Sequence, residues 1–123
     1  MKKVLVVDDS EVVRQQVGTC LASSDFKVVE AGDGIDALAR LDAHPDVAIV
    51  ILDINMPRMN GLEMLEEMRK RGLISKLPVL VLTTEADPAL VARAKQAGAK
   101  GWVVKPLKGD LLLAAVKKLT GST

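Results

Sequence analysis

Five short apolar runs alternate along the chain with segments whose apolar residues recur at helical spacing. The central run, Val47–Leu52, is unbroken and largely β-branched, which is typical of a strand covered on both faces. Strands that alternate with helices predict an α/β domain with a parallel sheet between two helical layers. The other four runs cover residues 3–7, 27–31, 78–82 and 101–104.

The segments between these runs each predict a helix with one apolar face. Asp9 or Ser10 can cap the first helix, and Asp87 followed by proline predicts the start of the fourth. Pro57 and the pair Asn60–Gly61 predict a turn after the central strand. The remaining helices are expected at Ile35–Leu41, at Leu62–Lys70, up to Gly98, and around Leu112, Ala115, Val116 and Leu119.

Composition narrows the class of protein without identifying it. The 123 residues are 49% apolar and carry 17 basic and 16 acidic side chains, for a net charge of +1. This balance offers no electrostatic reason to expect nucleic acid or a membrane surface as a partner. One cysteine, Cys20, rules out an internal disulfide and is compatible with a reducing cytoplasm. We therefore expect one cytoplasmic domain over residues 1–123, with no membrane insertion.

Reactive polar residues follow four of the five predicted strands. Asp8–Asp9, Asp53, Thr83–Thr84 and Lys105 each come directly after an apolar run. Parallel strands end at the same edge of a sheet, which is where ligands bind in open α/β folds. These groups are therefore expected to converge, although each one alone could be an ordinary solvated loop residue.

Convergence of these groups would favour a particular chemistry. Three neighbouring carboxylates repel one another unless a cation intervenes. Oxygen-only ligands suit a hard ion such as Mg²⁺, with Mn²⁺ as an alternative. A lysine and a threonine hydroxyl could then contact a phosphoryl group while one carboxylate attacks phosphorus.

Four motifs in this order resemble the response-regulator receiver domain. They are Asp8–Asp9, DINMPRMNG at 53–61, TTEA at 83–86 and WVVKP at 102–106. Within that family the chain is similar to single-domain chemotaxis regulators of the CheY type. The resemblance implies a five-stranded parallel sheet in the flavodoxin-like order 2-1-3-4-5, flanked by five helices.

The resemblance also implies a metal site and a phosphoacceptor. Asp53 would accept a phosphoryl group from the phosphohistidine of a histidine kinase. Asp9, Asp53 and the backbone carbonyl of Asn55 would bind Mg²⁺ directly, and Asp8 would act through a water molecule. Such a receiver promotes its own phosphorylation and dephosphorylation and turns over no independent substrate.

The remaining motif residues take roles by the same resemblance. Thr83 and Lys105 would contact the phosphoryl group, while Asn55 and Glu85 would tune dephosphorylation. Thr83 and Trp102 would form the switch, although the family usually carries Tyr or Phe at the position of Trp102. The bond before Pro106 is expected to be cis.

The expected partners are proteins. A CheA-like histidine kinase would supply the phosphoryl group, and a target such as a flagellar motor switch component would read the surface of the fourth helix, fifth strand and fifth helix. Leu111 and Leu113 are candidates for that surface, and the chain is expected to be a monomer.

Three alternatives remain open from the residues alone. The chain could be a receiver from a larger, DNA-binding regulator or a phosphorelay intermediate. It could also be a flavin-binding electron carrier, although Asp8–Asp9 occupy the place of the phosphate-cradling loop. A metal-dependent phosphatase would need a deep pocket, and no long lid insertion is visible.

Overall fold

A computed structural model describes residues 2–22, 24–54, 59–83 and 88–121. Strands and helices alternate throughout these residues, as the apolar runs predict. The elements in chain order are β1 (Lys2–Val7), α1 (Glu11–Leu21), β2 (Phe26–Ala31), α2 (Gly34–Ala43), β3 (Val47–Asp53), α3 (Gly61–Lys70), β4 (Val79–Thr83), α4 (Pro88–Gln96), β5 (Gly101–Val104) and α5 (Gly109–Thr120).

The five strands form one parallel sheet in the order β2-β1-β3-β4-β5. This confirms the predicted α/β class and strand order. β4 begins one residue later than predicted, at Val79, because Pro78 has no N–H with which to enter the ladder. The Pro78 carbonyl still accepts a hydrogen bond from the Val50 N–H at 3.0 Å.

The core lies in two layers, one on each face of the sheet. Alternate strand residues supply them: Leu5 and Val7 face one layer, while Val4 and Val6 face the other. Helices α2, α3 and α4 cover the first layer, and helices α1 and α5 cover the second. Burial on both faces explains why β1 and β3 are continuous apolar runs rather than alternating ones.

Side-chain caps fix where two of the helices near the site begin. The Ser10 hydroxyl accepts a hydrogen bond from the Val13 N–H, so Ser10 is the cap of α1. Asn60 and Glu63 form a reciprocal capping box at the start of α3. The turn predicted at Asn60–Gly61 is therefore wrong: Asn60 is the cap, and Gly61 is the first helical residue.

Three further predictions have different outcomes in the structure. Leu113 packs partly buried against the core, so its placement off the core face is wrong, whereas Leu111 is exposed. Cys20 is a free, half-buried thiol beside the same core layer. Asp87, the predicted cap of α4, lies outside the described residues.

Across the described ranges, none of the helices combines the length and the hydropathy that crossing a bilayer requires.

Candidate functional site

The ladder registers bring four polar residues to one edge of the sheet. Val7 pairs with Leu52, so Asp8 and Asp53 follow neighbouring positions. Asp53 pairs with Leu82, which brings Thr83 next to it. Thr83 pairs with Val104, and Lys105 follows directly. The convergence of these side chains is thus a consequence of strand register.

Lys105 places its amine next to two of these carboxylates. Its Nζ lies 2.9 Å from Asp8 Oδ2 and 3.5 Å from Asp53 Oδ1. The other Asp8 oxygen, Oδ1, accepts the Ser10 N–H at 2.9 Å. Asp8 is fully buried and has both oxygens engaged, whereas Asp9 is exposed. The two adjacent aspartates therefore have different environments: Asp8 forms an ion pair with Lys105, and Asp9 faces solvent.

Three carboxylates meet at this edge. One oxygen each from Asp8, Asp9 and Asp53 lies within 4.8 Å of the others. One lysine cannot neutralise three negative charges, so the cluster attracts a further cation. The donors are all hard carboxylate oxygens, which is the ligand set that Mg²⁺ prefers. The residues present therefore fit a magnesium ion, and Asp9 is the carboxylate of the cluster that faces solvent.

The environment of Lys105 keeps its amine charged. Burial, the largest single influence, lowers the pKa, but the hydrogen bond to Asp8 and the charges of Asp53 and Asp8 together outweigh it and raise the pKa above its ordinary value. A pKa raised by folding gives stability that is complete below the ordinary lysine value and is lost only as pH rises through the folded one. We therefore expect Lys105 to contribute no pH dependence of stability near neutrality.

Neutralising the exposed carboxylate of Asp9 should remove most of the stabilisation that Mg²⁺ provides. Without metal, Asp9→Asn should raise the free energy of unfolding because it removes one of three like charges. With Mg²⁺ at a hundred times its Kd, the wild type should gain about 2.7 kcal/mol. The variant should lose most of that gain. Urea titrations in chelator and in saturating Mg²⁺ measure both effects.

The control for this experiment is Asp110→Asn. Asp110 is an exposed carboxylate in the first turn of α5. Its loss removes favourable charge at a helix N-terminus, so stability should fall slightly and equally in both buffers. If Asp9→Asn behaves like Asp110→Asn, the acidic cluster does not bind the ion.

Thr83 and Trp102 lie on neighbouring strands with opposite exposure. Thr83 ends β4 and is 1% exposed, while the Trp102 side chain is 41% exposed. Lys95 of α4 places its Nζ 4.4 Å from the centre of the Trp102 ring, which is a cation–π contact. The Trp102 ring therefore lies outside the core and packs against a lysine on the surface.

Two of the predicted site residues, Asn55 and Glu85, lie outside the described residues. The structure brings the other strand-end residues to the same edge of the sheet, whereas Trp102 lies two residues before the end of β5. The peptide bond between Lys105 and Pro106 is cis.

Two further residues lie against this site: Arg14, which no sequence pattern indicated, and Gly61, which was expected only as a turn residue. Arg14 donates a hydrogen bond from Nη1 to the backbone carbonyl of Asp8. A Cβ at Gly61 would lie 2.5 Å from the backbone oxygen of Asp53. An arginine four positions after a helix cap carries no pattern of its own, and the Asn60–Gly61 pattern does not indicate a close approach to the Asp53 backbone. Only the tertiary structure reveals these contacts.

Comparisons with known proteins agree with this geometry. The sequence model of the response regulator receiver domain matches residues 4–117. Chemotaxis protein CheY1 of Helicobacter pylori is 35% identical over 121 residues, which cover 98% of both chains. Two-component response regulator ORR11 of Oryza sativa subsp. indica is 36% identical over 105 residues, covering 85% of this chain and 71% of that protein.

A solved structure extends the likeness to the backbone. Chemotaxis protein CheY4 of Vibrio cholerae superposes with a TM-score of 0.89 at 38% identity, covering 97% of this chain and 98% of that one. Matches of this extent in both sequence and fold leave one assignment: the chain belongs to the response-regulator receiver domain family.

Proposed function

We propose that this receiver domain takes a phosphoryl group on Asp53 from the phosphohistidine of a histidine kinase, in a Mg²⁺-dependent reaction. The observation that carries the proposal is the placement of the Asp53 carboxylate, which is almost buried at the end of β3, near two other aspartates and 3.5 Å from the Lys105 amine. Asp9 and Asp53 would hold the ion directly, with Asp8 linked to it through water.

The chemistry is a direct displacement at phosphorus. A carboxylate oxygen of Asp53 forms a bond to phosphorus, the phosphorus–nitrogen bond breaks, and the electron pair returns to the imidazole ring. When bound, Mg²⁺ supplies positive charge beside the phosphoryl oxygens. Lys105 holds a second positive charge there, and the Thr83 hydroxyl can donate a hydrogen bond to a phosphoryl oxygen. Later attack by water would release phosphate, and Asn55 and Glu85 would tune that step.

Transfer of a labelled phosphoryl group tests the proposal. A phosphorylated histidine kinase should label the wild-type chain in Mg²⁺ and leave it unlabelled in chelator. Label that is transferred equally well in chelator would contradict the metal requirement.

The output would be a change on the face formed by α4, β5 and α5. Trp102, Val104 and Leu111 are exposed apolar side chains on this face. They line a groove of about 530 Å³ together with Lys108 and Ala115. From residue 85 onward the chain has seven basic and three acidic residues, which favours a protein partner with acidic groups.

The two chemotaxis relatives support a motility role. CheY1 of Helicobacter pylori and CheY4 of Vibrio cholerae are named as chemotaxis proteins. By that likeness the kinase would be of the CheA kind, and a flagellar motor switch component would be the target.

Trp102 fluorescence should report the switch. Adding beryllofluoride with Mg²⁺, a stable substitute for the phosphoryl group, should shift the emission to the blue and reduce quenching by iodide. The reason is that Thr83 would move toward the bound group and leave space for the exposed ring to turn inward. Trp102 is the only tryptophan, so the signal has one source.

Two controls belong with the fluorescence measurement. Asp53→Asn should show no response to beryllofluoride, because it lacks the acceptor carboxylate. Lys95→Met should remove the cation–π contact while keeping the response. An unchanged wild-type spectrum would rule out the switch role of Trp102.

A further inference from the structure

Arg14 connects three parts of the chain beside the acidic cluster. Its Nη1 donates to the backbone carbonyl of Asp8, and its Nε lies 3.0 Å from Glu30 Oε1 on β2. The arginine belongs to α1, so one side chain joins that helix, the loop after β1, and an outer strand. The Arg14 side chain is only 18% exposed, whereas that of Glu30 is 52% exposed.

The Asp8 backbone is held from both sides by these contacts. Its N–H donates to the Ala31 carbonyl at 3.1 Å, and its carbonyl accepts from Arg14. The Asp8 carboxylate in turn accepts from the Ser10 N–H and from Lys105. With the Asp8 backbone held at both its N–H and its carbonyl, the Asp8 side chain reaches Lys105, and the next residue, Asp9, faces solvent.

We propose that Arg14 is a positioning residue: it fixes the Asp8–Asp9 backbone so that both carboxylates are aligned for the metal. This inference rests on the proposed function, because it concerns the same Mg²⁺ site. A planar guanidinium can bond the carbonyl and Glu30 at once, and the single ammonium of a lysine cannot reproduce that fork. Groups that orient metal ligands typically change metal affinity by about 10 to 100-fold when they are removed.

A charge effect and a positioning effect predict opposite results. Arg14 is a cation near a cation site, so loss of its charge alone would tighten Mg²⁺ binding. Loss of positioning would weaken it. Arg14→Lys keeps the charge without the fork, and Arg14→Gln removes both. We expect both variants to bind Mg²⁺ about tenfold more weakly than the wild type by calorimetry.

A metal-free measurement examines the loop itself. Hydrogen exchange of the Ser10 amide, which donates to the Asp8 carboxylate, should accelerate in both variants, while amides in the middle of α3 keep their protection. Glu30→Gln weakens the ion pair between Arg14 and Glu30. It should therefore lower Mg²⁺ affinity and accelerate Ser10 exchange, but by less than the Arg14 variants do. This third variant leaves Arg14 in place, so it maintains the test if Arg14→Gln does not fold.

The matched control is Arg71→Lys. Arg71 forms an ion pair of similar geometry, with its Nε 3.1 Å from Glu67 Oε1, at the end of α3. This variant should leave Mg²⁺ affinity and Ser10 exchange unchanged.

Two results would overturn the inference. One is unchanged affinity and exchange in both folded Arg14 variants. The other is tighter binding by Arg14→Gln with normal binding by Arg14→Lys. If the wild type bound no Mg²⁺ but Ser10 exchange still accelerated in the variants, the metal site of the proposed function would fail while the positioning of Asp8 by Arg14 would stand.

Discussion

Replacing Asp53 by asparagine is expected to reduce phosphoryl transfer to the chain by roughly 10³-fold or more, the scale on which removal of a covalent nucleophile acts. The amide has nearly the shape of the carboxylate, so the fold should remain intact. Without metal the variant should be more stable than the wild type, because one of three clustered carboxylates is gone. Labelled kinase and urea titration measure the two effects.

Two further variants make the Asp53 result specific. Asp53→Ala cannot regain a carboxylate by deamidation, so it should also remain unlabelled. Asp110→Asn removes an exposed carboxylate on α5 and should be labelled like the wild type. Label on Asp53→Ala would show that another residue is the acceptor.

Gly61→Ala should destabilise the protein by about 2 to 3 kcal/mol, the cost of inserting a methyl group where there is no room. A Cβ there would lie 2.5 Å from the Asp53 carbonyl oxygen and 2.8 Å from the Ile54 Cα. Both atoms are backbone, so no side chain can rotate away. The Gly61 N–H also donates to the Ile54 carbonyl at 2.9 Å, which holds α3 against the end of β3.

The same substitution should also impair the site. To make space, the backbone of Asp53 must move away from α3, which shifts its carboxylate relative to Lys105. Phosphoryl transfer should therefore fall even at temperatures where the variant remains folded. Urea unfolding and labelling by the kinase, measured on the same preparation, test both effects.

Gly18→Ala is the control for the glycine experiment. Gly18 lies within α1, and apart from the backbone of its own helix and its chain neighbours no atom would lie within 4 Å of an added Cβ. Alanine there should stabilise the protein by about 0.5 to 1 kcal/mol, because it reduces the entropy of the unfolded chain. Equal stability of the two alanine variants would mean that α3 does not pack tightly against β3.

The fold was predictable because its signals are local. The run Val47–Leu52 can be recognised as a buried strand without any tertiary information. The change from apolar residues to a charged residue at Asp53 marks the end of the run. Parallel pairing then requires that Asp8, Asp53 and Lys105 share an edge. The family motifs supply the strand order, which the apolar runs alone cannot.

The different burial and pairing of the aspartates in the site was not predictable from the sequence alone. Asp8 and Asp9 are adjacent and chemically identical, and only the structure shows that one is buried on Lys105 while the other is exposed. The pair Asn60–Gly61 was misinterpreted because the same residues serve turns and helix caps. The contact made by Arg14 was not predicted because its acceptor is a backbone carbonyl, which has no sequence signature.

Family membership removes one of the earlier alternatives. A flavin-binding electron carrier shares the layered architecture, but the receiver match over residues 4–117 assigns this chain to a signalling family. Fold alone could not have separated the two.

The contact between Asp8 and Lys105 joins residues 97 positions apart. During synthesis the aspartates therefore emerge from the ribosome long before the amine that balances them. A nascent chain that ends before β5 would carry the three acidic groups without the amine that pairs with Asp8 and Asp53. The acidic cluster thus gains this balancing amine only when the last fifth of the polypeptide has been made.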